Sequence, residues 1–210
     1  MYKKIFVATV ILLLSAGVVF AQNTSTTTQT GNINTSKVEQ EGDNQTATVV
    51  STGNNNVVSV KQDDSADGPN MGEAPQSATV TQTGNSNEAR VLMNMKKGNN
   101  SGQGNYAVIE QIGHGNVSNQ RFLIDYNNKS NRAEGLQDGN SNTLSQTFNG
   151  GYSQTLIATQ KGVGRNDATQ VSSGSAINGK IWQDGSNNTA EQDLSSRSLG
   201  KLTTPGSGPI

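Results

Sequence analysis

The chain has 210 residues, of which 30 % are hydrophobic, 4 % aromatic and 15 % charged, with a formal net charge of −1 and no cysteine. So little apolar material argues against a conventional globular core, and so little charge and proline argue against a permanently open chain. The near-neutral balance shows no basic patch for nucleic acid, and the absence of cysteine removes any disulfide framework.

In chain order, Lys3 and Lys4 give a positive start, Ile5 to Val19 form a short apolar run, and Val19-Phe20-Ala21 supplies small or slender residues at a cleavage site. Residues 1–21 therefore read as a secretory signal peptide cut after Ala21. A membrane anchor fits less well, because the apolar run is short for a span and no basic stop-transfer cluster follows. The expected destination is outside the cell.

From Asn23 onward a glycine-centred unit recurs. Its copies are Gln29-x-Gly31-x-x-Asn34, Ser51-x-Gly53-x-x-Asn56, Gln82-x-Gly84-x-x-Asn87, Gln111-x-Gly113-x-x-Asn116, Gln137-x-Gly139-x-x-Asn142 and Gln183-x-Gly185-x-x-Asn188. A seventh copy runs from Gln160 through Gly162 to Asn166 and is one residue longer. Each is flanked by period-two segments that predict strands. Before the turns lie residues 23–29, 45–51, 76–82, 105–111, 131–137, 154–160 and 177–183. After them lie 34–40, 56–62, 87–93, 116–122, 142–148, 166–172 and 188–194.

Alternate residues of every segment, counted from its first, carry no charge. The intervening positions hold Lys37, Glu39, Lys61, Glu88, Arg90, Glu110, Arg121, Arg132, Glu134, Asp167, Lys180, Glu191 and Asp193. A slip of one residue would bury these charges at several kcal/mol each, which fixes the register and points the charge-free face inward. The fold expected is all-β: a two-sheet β-solenoid of about seven strand–turn–strand rungs, some 30–35 Å tall at ~4.8 Å per step. Inward Asn and Gln would pair with their equivalents above and below as a polar ladder. Its members are Gln29, Asn34, Gln40, Asn56, Gln62, Gln82, Asn87, Gln111, Asn116, Gln137, Asn142, Gln160, Asn166, Gln183 and Asn188, with apolar side chains between them. Gly31, Gly53, Gly84, Gly113, Gly139, Gly162 and Gly185 supply the turn conformation.

Rung connections at 41–44 and 173–176 are tight, those at 149–153 and 123–130 are longer, and 63–75 and 94–104 are insertions. All the length variation thus falls on one edge of the stack. The solenoid is expected to span 22–194, with a flexible tail at 195–210.

The repeat resembles that of the curlin family, subunits of bacterial curli amyloid, which runs Ser-x5-Gln-x-Gly-x-x-Asn-x5-Gln. Gln29, Gly31, Asn34 and Gln40 match its later part in full; Ser51, Gly53, Asn56 and Gln62 match with one substitution. The leading Ser is replaced throughout, and the closing Gln becomes Met93, Phe122, Phe148, Ser172 or Leu194 in later rungs. The family's export segment after the signal peptide is not evident, since the first strand begins at Asn23. The resemblance implies a secreted subunit of extracellular fibres on the bacterial surface, serving biofilm matrix and adhesion. It implies as partners the chain itself, a related curlin nucleator or major subunit, and outer-membrane secretion machinery. It implies no catalysis, cofactor, nucleic acid or small-molecule substrate.

Other features point elsewhere less strongly. His114, the one histidine, sits in a glycine turn without partners for catalysis or metal. Asp63-x-Ser65-x-Asp67-Gly68 resembles the start of a calcium loop, but Ala74 stands where the closing acid belongs. Gly102-x-Gly104 lacks the strand-to-helix setting of a nucleotide loop. Trp182 faces outward. Outward threonines at 24, 26, 28, 46, 48, 79 and 81 raise the alternative of a monomeric ice- or polysaccharide-binding solenoid.

Overall fold

The computed structural model describes residues 22–42, 44–63, 75–95, 104–124, 130–151 and 153–195. The leader, the calcium-like Ser65–Gly68 stretch, Gly102, most of both insertions and the tail beyond Ser195 lie outside the described residues. Fourteen strands follow one another: β1 (Thr24–Thr30), β2 (Thr35–Glu41), β3 (Thr46–Thr52), β4 (Val57–Asp63), β5 (Ser77–Asn85), β6 (Glu88–Met95) and β7 (Tyr106–His114). Then come β8 (Val117–Ile124), β9 (Arg132–Asn140), β10 (Thr143–Asn149), β11 (Thr155–Val163), β12 (Asp167–Ser173), β13 (Asn178–Asp184) and β14 (Thr189–Ser195).

Odd-numbered strands form one seven-stranded sheet and even-numbered strands a second, each stacked in chain order. Every pairing is parallel. The chain is a two-sheet β-solenoid, and each rung contributes one strand to each sheet. The strands start one residue later than the sequence segments, because the leading residue belongs to the turn. Thr24 N–H donates to Gln45 O and Thr35 N–H to Asn56 O, both at 2.8 Å, so the ladder proper begins there. Leading residues from Gln45 to Asn166 still point inward and are buried, except at the end rungs and Ile177. Four strands of the first sheet (β5, β7, β9 and β11) run on through the turn glycine, since Gly84 and Gly113 stay paired, as do Gly139 and Gly162.

The inward face follows the charge-free set. In β3, Ala47, Val49 and Ser51 are fully buried while the residues between them are half-buried or exposed. The same alternation runs through β4 to β13. The apolar share of the interior is Val49, Val58, Val60, Val80, Val91, Met93, Ile109, Phe122, Phe148 and Leu156 with small alanines, and a second cluster around Leu144, Ala158 and Ile181.

The turns need left-handed backbone at two places. Gly53 has φ 114°, and a Cβ there would lie 1.9 Å from Gly84 O of the next rung, so both conformation and space exclude a side chain. Two residues on, Asn55 has φ 58°. The tight rung connections repeat this geometry: Gly42 and Asn44 have φ 104° and 59°, and Gly174 and Ala176 have 118° and 56°. At these steps each rung has two equivalent corners, so the spacing Gln40-x-Gly42-x-x-Gln45 is a further copy of the turn unit.

Candidate functional site

The chemistry of the molecule lies in columns of amides that run along the stack. The first column closes the odd-numbered strands. Ser51 Oγ donates to Gln82 Oε1 at 3.2 Å. Gln82 Nε2 donates to Gln111 Oε1 at 2.9 Å, Gln111 to Gln137 at 2.8 Å, Gln137 to Gln160 at 3.0 Å and Gln160 to Gln183 at 2.9 Å. Each Nε2 also reaches across to the opposite sheet one rung back. Gln82 donates to Val57 O, Gln111 to Glu88 O, Gln160 to Thr143 O and Gln183 to Asp167 O, at 2.8–3.1 Å. These amides therefore bond the two sheets as well as successive rungs. Gln29, the first expected member, is exposed and stands opposite Ser51, whose short side chain does not reach it.

The second column, Asn34, Asn56, Asn87, Asn116, Asn142, Asn166 and Asn188, has the expected amide-to-amide bonds at three steps and adds bonds to backbone. Asn87 Nδ2 donates to Asn56 Oδ1 at 3.3 Å, and Asn166 to Asn142 and Asn188 to Asn166 at 3.0 Å. Each Oδ1 accepts the backbone N–H of the next asparagine: 3.0 Å from Asn56 to Asn34, and 3.1 Å from Asn87 to Asn56. Nδ2 donates to the turn-glycine carbonyl of the next rung, Asn34 to Gly53 O at 2.8 Å and Asn116 to Gly139 O at 2.8 Å. Asparagine is short enough to act as part of the turn backbone, which explains its spacing from the glycine. The pattern fails once: Asn142 Nδ2 is buried without a partner. Its next rung has the longer turn, in which Gly164 and Arg165 displace the regular spacing.

The third expected column, closing the even-numbered strands, is short. Gln40 Nε2 donates to Gln62 Oε1 at 2.9 Å, and Gln62 meets Met93 Sδ at 3.9 Å. Phe122 and Phe148 then continue the column with rings stacked at 4.7 Å. A fourth column was not in the sequence-derived set. Gln120, Gln146, Gln170 and Gln192 are linked Nε2 to Oε1 at 2.8, 2.8 and 2.9 Å. Four glutamines at one inward position of successive even-numbered segments were the available signal. Where this column begins, against Val91, Gln120 Oε1 is left buried and unpartnered. A boundary between amide and apolar stretches thus orphans one amide atom.

The outer faces carry the charge. Lys37–Glu39 and Glu88–Arg90 pair along their strands at 2.6 Å, and Arg132 also pairs with Glu134 along its strand. Lys37 holds the Glu39 carboxyl below its ordinary range, first by hydrogen bond and then by charge. Across rungs, Glu39 registers with Lys61, and Lys161 sits between Asp138 and Asp184. His114 is exposed in its turn, its backbone N–H donating to Asn140 Oδ1 at 3.0 Å. Among the described residues no three His, Cys, Asp or Glu side chains converge as a metal site.

Among the described residues, no strand pairs with the outer edge of either end of the stack. β1 is exposed along its whole length, and the inward residues of β2 and β14 are only half-buried. No protein-family model, curated protein or solved structure matches the chain.

Proposed function

We propose that this chain is an exported, non-enzymatic structural subunit that stacks end to end into extracellular amyloid fibres of the curli type, for biofilm matrix and adhesion. The observation that carries this reading is the pair of end strands that no described residue caps. Soluble solenoids close their terminal rungs with atypical polar caps, whereas here, among the described residues, β1 and β14 present unpaired strand edges and the asparagine column runs out to both faces. An edge of this kind adds the next strand in the same way that rungs add within the chain. Because the contact is head-to-tail and does not close, it propagates as a filament. The partners under this reading are further copies and a related curlin subunit, with export through the outer membrane.

The test is to dilute the chain from Gln22 onward out of denaturant and follow thioflavin fluorescence and fibre diffraction. Seeded growth with reflections near ~4.7 Å and ~10 Å supports the reading. A lasting β-rich monomer that its own aggregates cannot seed overturns it.

A second reading, a monomeric surface binder, rests on registered threonines of the first sheet. Thr26, Thr48 and Thr79 share one outward column, and Thr30, Thr52 and Thr83 another. Thermal hysteresis or glycan binding by a stable monomer supports it.

A further inference from the structure

This inference rests on the end-to-end assembly just described and concerns the joint between chains. Within the molecule, each column passes from one rung to the next in a fixed direction, with glutamine Nε2 donating forward and asparagine Oδ1 accepting from the rung ahead. The last rung therefore ends in unused valences. Gln183 and Gln192 each have a spare Nε2 hydrogen beyond their bonds to Asp167 O and Lys180 O. Among the described residues nothing donates to Asn188 Oδ1.

We infer that β13 meets β1, and β14 meets β2, of a second copy in the register used inside the chain, and that this joint is matched in one half and mismatched in the other. In the matched half, Gln183 faces Gln29 and Asn188 faces Asn34, so both columns continue. Gln29, idle within its own chain, gains a donor and can reach Thr189 O as its equivalents reach the opposite sheet. Gly185, whose Cβ direction is otherwise open apart from Asn188, then meets Gly31, as every earlier turn glycine meets the next. Glu191 falls on Lys37, and Asp193 falls on Glu39, one opposite-charge pair against one like-charge pair. Turning the second copy by half a revolution, with β13 on β2, would instead set Lys180 on Lys37 and Asp184 on Glu41. Two like-charge pairs with no opposite pair to offset them disfavour the rotated joint, so the charge balance selects the unrotated one.

In the mismatched half, Gln192 meets Val38. The forward hydrogen of Gln192 is then buried without an acceptor, the mirror of the orphan that Gln120 already shows against Val91. Leu194 meets Gln40, whose Oε1 faces the joint without a donor. Val38 and Gln40 are thus specificity-determining residues. They make the homotypic step weaker than any internal step of the fourth column, and they leave the last rung better fitted to a partner rung with a hydrogen-bond acceptor where Val38 stands.

Val38 is half-buried, and Val38→Thr keeps its shape while adding an acceptor for Gln192. Val38→Gln, a second variant, extends the column by a full glutamine. Val60→Thr makes the same change one rung inside, where no glutamine faces it. Fibres of each chain from Gln22 onward are brought to equilibrium and the residual soluble concentration is measured. The expected result is about a tenfold lower concentration for Val38→Thr or Val38→Gln than for the unaltered chain, with no decrease for Val60→Thr. Equal or higher concentrations for both Val38 variants overturn the inference while leaving the fibre reading intact. Failure of the unaltered chain and both Val38 variants to form fibres overturns the joint and the fibre reading together.

Discussion

The rings of Phe122 and Phe148 stack at 4.7 Å with 23° between their planes, filling two successive rungs where the resembled repeat has glutamine. Both are fully buried. The column changes here from hydrogen bonding to aromatic contact without a gap in the core. Phe148→Ala is expected to destabilise the fold by about 3–5 kcal/mol, combining lost burial with a cavity that two flanking rungs cannot collapse. Denaturant unfolding of the monomer under non-assembling conditions measures it.

Gln111 donates to Gln137 and accepts from Gln82. Gln111→Leu leaves Gln137 Oε1 without its donor and Gln82 without its forward acceptor, both in a dry interior. The expected loss is about 2–3 kcal/mol, read from the denaturation midpoint. Replacing Gln82, Gln111, Gln137, Gln160 and Gln183 together by Leu should cost less per site than the single change, because it removes donors and acceptors in pairs.

Ile33 adopts φ 56° at the turn position where Asn55 and Asn187 adopt 58° and 57°. It is also 80 % exposed, so its branched side chain meets strain without burial in return. Ile33→Asn is expected to stabilise the chain by about 1 kcal/mol. Gly53→Ala, at φ 114° and against Gly84 O, is expected to cost at least about 3 kcal/mol. Thermal unfolding of the two variants side by side checks the contrast.

Glu39 pairs with Lys37 on the exposed face, which lowers its carboxyl pKa in the folded chain. A depressed carboxylate contributes stability above its unfolded pKa, and that contribution is lost as the pH falls through the folded value. The pair is open to solvent, so the effect is small and shrinks with salt. An NMR titration should place Glu39 below the ordinary glutamate range, and Lys37→Met should move it back up.

Much of the fold was legible because one constraint repeats. The charge pattern separated inward from outward positions in segments such as 56–62 and 87–93, and the structure buries those inward residues. Glycine spacing placed the turns for the same reason. What sequence left open was the direction of each hydrogen bond. Asn34 and its column looked like amide ladders yet bond mainly to backbone, since their side chains are one methylene shorter than glutamine and sit at a corner. The Gln120–Gln192 column was missed because the motif used to read the repeat has no fixed residue at that place. Gln29 was over-read, because its neighbour Ser51 is too short to hand the column on.

Each strand pairs only with the strands of the rungs directly before and after it. Tension along the stack therefore passes through every step in series, and among the described residues no long-range tie bridges a weak one. The orphaned Asn142 amide, beside the overlong Gly162 turn, marks such a step. Pulled from its ends, the column should part at a small number of reproducible places, yielding short stacks whose fresh faces are as open to addition as the original ends.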